Sequence, residues 1–284
     1  MAGVMTPGPL VSTAWLAERL GRPDLRIVDA TWFMPGDGRS GIGEHRRAHI
    51  PGAVFFDIDA VADPAAALPH MLPTPGAFAE AAGRLGLSRQ AATVVYDGQG
   101  IFSAPRVWWT LRAMGFPDVA VLDGGLQAWL AEGRPVAAGD AVPPPATVTP
   151  AFDAGLVRNL GDVQAVLASG AAQVLDARPA ARFRGEAPEP RAGLRGGHMP
   201  GACNLPFASL IGEDGRMQGK AELAAAFAGA GIDLGKPVVT TCGSGVSAAV
   251  LALALAVLGH DRAAVYDGSW TEWGGRADTA VVTG

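Results

Sequence analysis

Short runs of valine, isoleucine and leucine alternate along this chain with longer stretches whose apolar positions recur at helical spacing. In the first half the pattern predicts strands over residues 27–30, 93–97 and 119–122, with helices around 78–85, over 104–114 and from 126 onward. The second half repeats the rhythm, with strands at 173–176, 238–241 and 263–266 and helices at 220–230 and 246–259. The strands are apolar almost throughout instead of alternating with polar residues, as a parallel sheet covered on both faces requires. The expected fold is α/β, each half a central, mainly parallel sheet flanked by helices. In such sheets ligands bind beyond the carboxyl ends of the strands.

The two halves also match block by block. Leu25-Arg26-Ile27-Val28-Asp29-Ala30 answers Gln173-Val174-Leu175-Asp176-Ala177, and His49-Ile50-Pro51-Gly52-Ala53 answers His198-Met199-Pro200-Gly201-Ala202. Thr93-Val94-Val95-Tyr96-Asp97-Gly98 answers Val238-Val239-Thr240-Thr241-Cys242-Gly243, and Val121-Leu122-Asp123-Gly124 answers Val265-Tyr266-Asp267-Gly268. Matched positions lie 144 residues apart at Asp123 and Asp267 and 149 apart at His49 and His198. Two homologous domains are expected, at 1–135 and 151–284, joined by a proline-rich linker at 136–150. Residues shared by both halves, such as His49/His198, Asp29/Asp176 and Trp129/Trp273, read as parts of the fold. Residues present in one half only are the functional candidates.

Foremost among these is Cys242, which stands where the first half has Asp97. It follows a β-branched strand and opens the loop Cys242-Gly243-Ser244-Gly245-Val246-Ser247, after which an apolar helix begins. Glycines let such a loop curl until its N–H groups point inward, and the helix start adds positive potential, so the turn favours an anion. A sulfur placed there is a candidate nucleophile or sulfur carrier. Position 248 is alanine, not the arginine that clamps phosphate in cysteine phosphatases, and the loop contains no cation.

Composition narrows the field. The chain of 284 residues is 49% hydrophobic and carries a net charge of −5, which argues against gripping nucleic acid or an anionic membrane. Two cysteines, Cys203 and Cys242, indicate no disulfide framework, and five histidines without ligand spacing give no metal signature. The first twenty residues lack the basic start of a signal peptide, and the longest apolar run, 246–258, is too short to span a bilayer. These features lead to the expectation of a soluble protein of a reducing compartment, the cytoplasm. A monomer or weak dimer is expected, though no sequence feature bears on oligomeric state, and Cys203, beside the Pro200-Gly201-Ala202 turn, reads as structural.

The whole chain from about Thr13 to Trp273 resembles a tandem rhodanese-domain sulfurtransferase. The likeness is carried by Phe55-Phe56-Asp57-Ile58-Asp59, His70-Met71-Leu72-Pro73, Ser103-Ala104-Pro105-Arg106-Val107-Trp108-Trp109, Arg182-Phe183-Arg184-Gly185 and Glu189-Pro190-Arg191. The cysteine loop, with neutral Gly243 and Ser244 where thiosulfate-using members carry cations, resembles the 3-mercaptopyruvate sulfurtransferase branch. Ser247 keeps the hydroxyl of the threonine frequent there. The resemblance implies a silent first domain and sulfur transfer from a small 2-oxo thiol, through a persulfide on Cys242, to a thiol, a thioredoxin-like protein or cyanide. It implies neither cofactor nor metal. Arg182 and Arg191 are implied to hold the substrate's carboxylate and carbonyl, with the loop residues Gly243, Gly245, Val246 and Ser247 lining the site. Ser244, His70 and Asp59 are implied to handle the proton, while Arg184 reads as a solvated charge. Two alternatives stand beside this: a thiosulfate sulfurtransferase on the same fold, and a non-catalytic sulfur-binding module.

Overall fold

The computed structural model describes residues 3–284. The two halves build two five-stranded, all-parallel sheets. The first contains β1 (Leu10–Val11), β2 (Leu25–Asp29), β3 (Ala53–Phe55), β4 (Ala92–Tyr96) and β5 (Val119–Leu122), in the order β1-β5-β4-β2-β3. The second contains β6 (Val157–Arg158), β7 (Gln173–Asp176), β8 (Cys203–Asn204), β9 (Val238–Thr241) and β10 (Ala264–Tyr266), in the order β6-β10-β9-β7-β8. All five residues of β4 and all four of β9 are buried, which explains their unbroken apolar or hydroxyl-bearing sequence.

The helices that cover the first sheet include α1 (Thr13–Ala17), α2 (Gly41–Arg47), α3 (Pro75–Arg84), α4 (Ala104–Ala113) and α5 (Gly125–Ala131). On the second sheet lie α6 (Leu160–Ser169), α7 (Ala180–Phe183), α8 (Lys220–Gly229), α9 (Ala248–Val257) and α10 (Ser269–Trp273). Helix α9 starts at Ala248, two residues later than its apolar run suggests. Residues 243–247 are taken up by the loop, which turns at Gly245 with φ +80°.

By packing, the chain divides into two compact units. Unit 1 takes in the chain to Asp63, Leu72–Asp153 and Gly212–Met217, and unit 2 takes in Pro64–Met71, Ala154–Ile211 and Gln218–Gly284. Val94, Tyr96, Ala120, Leu122 and Trp129 pack in the core of unit 1, while Val174, Val239, Tyr266, Trp270 and Trp273 do so in unit 2. The proline-rich stretch expected as a linker lies along unit 1. Ala137 exchanges backbone hydrogen bonds with His49 at 2.9 and 2.8 Å, and the Ala146 N–H donates to the Gly83 carbonyl at 2.9 Å. A side chain at Gly86 would come within 2.9 Å of Pro143 and Pro144, so glycine lets the prolines lie close against α3.

The repeated histidines do hold turns. His49 is buried, stacks on the His45 ring and donates from Nδ1 to the His45 carbonyl at 2.8 Å. His198 stacks on Phe183 with ring centroids 3.8 Å apart and donates from Nδ1 to its carbonyl at 2.9 Å.

Candidate active site

In unit 2, connections from β7 lead outward to β8 while β9 hands on to β10 on the other side, so the strand order reverses between β7 and β9. Residues at the carboxyl ends of those two strands flank the crevice where doubly wound sheets take their ligands. Cys242 is the first residue beyond β9 and is 1% exposed. Its N–H donates to Ser269 Oγ at 3.3 Å, and its carbonyl accepts the Trp270 N–H at 2.9 Å. The neighbouring Gly243 carbonyl accepts from Thr271 through both N–H (2.8 Å) and Oγ1 (2.6 Å). The cysteine backbone is thus stitched to the first turn of α10. Ser269 holds this junction at φ +49°, a conformation unusual outside glycine, with its hydroxyl donating to the Tyr266 carbonyl at 2.8 Å.

Unit 1 shows what a loop of this kind does with an anion at its first position. Asp97 follows β4 as Cys242 follows β9, and each loop turns three residues later through a left-handed glycine, Gly100 at φ +98° and Gly245 at φ +80°. The Asp97 carboxylate, fully buried, accepts the N–H groups of Gln99 (2.8 Å), Phe102 (2.8 Å), Ser103 (2.9 Å) and Ala104 (2.8 Å). Burial pushes its carboxyl up, and those four amides pull the other way. The loop is a nest of amides around a negative group. A carboxylate fills it in unit 1, and a sulfur heads the corresponding loop in unit 2.

Beyond β7 runs a chain of alternating charges. Arg178 is held by both oxygens of Asp176, with Nε at 3.1 and 2.9 Å and Nη2 at 2.7 Å, and it donates to the Gly197 carbonyl at 2.8 Å. Its guanidinium lies 4.1 Å over the Trp270 ring. Arg178 Nη1 donates to Glu189 Oε1 at 2.8 Å, and the other oxygen of Glu189 accepts from Arg182 Nη2. Arg178 and Glu189 side chains are each 1% exposed, whereas Arg182 is 21% exposed. The Arg178 guanidinium beside two carboxylates is held above its usual range despite burial. Arg182 Nη2 reaches the cysteine loop: a Cβ built on Gly243 would lie 3.4 Å from it. Arg182 Nε, shielded from solvent, meets no hydrogen-bond acceptor among the described residues. A donor left so typically costs about 1–3 kcal/mol.

The other expected site residues fall as follows. Ser244 is buried in the loop with Val246, and Ser247 is half-buried at the N-terminus of α9. His70 belongs to unit 2, 6% exposed, with φ +60°. Its Nε2 lies 3.4 Å from Arg191 Nη2, and because a guanidinium only donates, the imidazole nitrogen is the acceptor. Asp59 is exposed and lies in unit 1, where its Oδ2 accepts from Trp32 Nε1 at 2.8 Å. Arg184 forms an exposed pair with Glu186 at 2.6 Å, as a solvated charge would. Cys203 is half-buried in β8.

Sequence reasoning gave no role to Arg178 or Ser269, nor to Glu189 beyond its place in the Glu189-Pro190-Arg191 motif. Arg178 was within reach, since Thr31 occupies the matching place in unit 1, making Arg178 a residue of one half only. In both units that residue's N–H caps the strand-end aspartate, at 2.9 Å in each case.

Two sheets of one topology, with a buried cysteine at the carboxyl edge of the second, define a tandem α/β protein. The rhodanese-like domain matches twice, over residues 12–132 and 159–276, and the chain belongs to the rhodanese family. It is 45% identical over 272 residues to the 3-mercaptopyruvate sulfurtransferase of Escherichia coli (strain K12), covering 95% of this chain and 96% of the relative. The thiosulfate sulfurtransferase of Bos taurus is 43% identical over 275 residues, covering 94% and 92%. The crystal structure of SseA from Escherichia coli, a 3-mercaptopyruvate sulfotransferase, matches with a TM-score of 0.85 at 42% identity, over 93% of this chain and 99% of that one.

Proposed function

We propose that this protein is a 3-mercaptopyruvate sulfurtransferase that carries sulfur on Cys242. The observation that bears most weight is the cysteine loop itself: Gly243 and Ser244 bring no cation, and the positive charge beside the loop comes from Arg182, against Gly243. A planar guanidinium at the mouth suits the carboxylate of a 2-oxo acid.

In the reaction the Cys242 thiolate attacks the substrate sulfur, and the bond between that sulfur and the substrate methylene breaks. Its electron pair passes into the pyruvate enolate, which takes a proton to give pyruvate. The sulfur stays behind as a persulfide within the amide nest that Asp97 exemplifies in unit 1. An acceptor thiol, or cyanide, then attacks the outer sulfur and releases the Cys242 thiolate. Arg182 and Arg191 hold the substrate, and Ser244 with His70 serves the proton steps. The expected acceptor is a small thiol or a thioredoxin-like dithiol, and the expected setting is a reducing compartment such as the cytoplasm, where a reactive cysteine persists.

The test is steady-state sulfur transfer to cyanide from 3-mercaptopyruvate and from thiosulfate. A kcat/KM preference for 3-mercaptopyruvate of about 10-fold or more (~1.4 kcal/mol) is expected. Cys242→Ser abolishes transfer in this reading, and Cys203→Ser leaves most of it. A preference for thiosulfate would instead support the second reading, favoured by the bovine relative.

A further inference from the structure

Arg182 sits on α7, a helix of four residues, and its long side chain turns on several freely rotating bonds. A substrate anchor on such a stem works only if something fixes it. In this structure that partner is Glu189. Its carboxylate divides its two oxygens between two arginines, Oε1 to Arg178 at 2.8 Å and Oε2 to Arg182. Arg178 is immobile in its turn, gripped by Asp176 and the Gly197 carbonyl and stacked on Trp270. The series Asp176, Arg178, Glu189, Arg182 alternates in sign from the sheet to the loop mouth, and only its last member is appreciably exposed.

Without the Glu189 charge, two guanidiniums would face each other in a poorly solvated setting, and Arg182 would swing outward, away from Gly243. We propose that Glu189 is the positioning residue of the donor site, acting through Arg182 and touching neither the substrate nor Cys242. The proposal rests on the reading that Arg182 binds the donor's carboxylate.

A double-mutant cycle on the full chain tests it, with kcat and KM for 3-mercaptopyruvate measured for wild type, Glu189→Gln, Arg182→Ala and the double variant. Glu189→Gln is expected to raise KM about 10-fold while kcat stays within about 3-fold, and to add nothing further in the Arg182→Ala background. Glu189→Asp, which keeps the charge but shortens the reach, is expected to fall between the two. Thermal midpoints are followed alongside, and if Glu189→Gln does not fold, Glu189→Asp carries the same cycle. Independent, multiplicative effects of the two changes would overturn the proposal, since Glu189 would then be acting on the fold or on the chemistry directly. A raised KM in Arg182→Ala with no change in either Glu189 variant would overturn it while sparing the role of Arg182. An unchanged KM in Arg182→Ala would overturn the reading beneath it as well.

Discussion

Ser269 lends itself to a test at the level of single residues. It occupies a left-handed conformation in which its hydroxyl accepts from the Cys242 N–H and donates to the Tyr266 carbonyl. The matching residue of unit 1 is Gly125, at φ +54°, where a Cβ would stand 2.4 Å from the Asp97 carbonyl oxygen and 2.5 Å from that of Gly100. Unit 2 therefore accepts a strained side chain where unit 1 excludes one, and the strained hydroxyl braces the cysteine. Ser269→Ala should keep the strain and lose the brace, lowering stability by about 1–3 kcal/mol and kcat several-fold, as measured by chemical denaturation and the cyanide assay. A loss of stability with kcat untouched would reduce the hydroxyl to a structural role. Cys242 was legible in the sequence because it replaces Asp97 within a repeated block. Ser269 was not, because a serine at positive φ looks like any other serine in a chain of letters.

At the level of elements, the buried interior strands β2, β4, β5, β7, β9 and β10 were readable from their apolar runs, that of β10 spanning residues 263–266, and α3, α4, α8 and α9 from their spacing. The edge strands β1, β3, β6 and β8, two or three residues each, were not. A segment of two residues, as in β1, β6 and β8, has no periodicity, and only its pairing partner makes it a strand. Helix α6 also escaped notice although it carries a capping box, Asn159 accepting from the Asp162 N–H and Asp162 from the Asn159 N–H.

Elements of unit 1 are tied together at Glu132, the residue that caps α5. Its carboxylate accepts from Thr13 Oγ1 at the start of α1, from Arg134 and from Arg216 in Gly212–Met217. The Thr13 hydrogen bond first, then the arginines, hold its carboxyl down at about 2. A carboxylate whose value is lowered by folding contributes stability above its unfolded value, near 4.5, and loses that contribution as pH falls toward the folded one. The melting-point gap between wild type and Glu132→Gln should therefore be present at pH 7 and close steadily between about pH 4.5 and 2. A gap constant across that range would show that the carboxylate's charge contributes nothing. The group is partly open to water, so the gap should also shrink in high salt.

For the molecule as a whole, packing groups two stretches with the half of the chain to which they do not belong in sequence. Pro64–Met71, between β3 and α3, packs as part of unit 2, and Gly212–Met217, between β8 and α8, packs as part of unit 1. Both come from the same place in the repeat, the passage between the third strand of a half and its next helix. The Met217 N–H donates to Asp123 at 2.9 Å, and Arg216 pairs with Glu132 at 2.7 Å within unit 1. His70, in the first of these stretches, sits beside Arg191 within unit 2. No sequence pattern announces this, because periodicity describes local structure and the exchange is made by contacts far apart in the chain. It bears directly on which piece of the protein should work alone. The residues 151–284 contain Cys242, Arg182, Glu189 and Arg191 but lack Pro64–Met71, so that fragment should lose at least about 10-fold in kcat/KM for 3-mercaptopyruvate and melt at a lower temperature. His70→Gln in the full chain separates the two causes: if it reproduces the kinetic loss without the change in melting, the missing imidazole accounts for the activity and the missing segment for the stability. Full activity in the fragment would mean that nothing before residue 151 takes part in the chemistry.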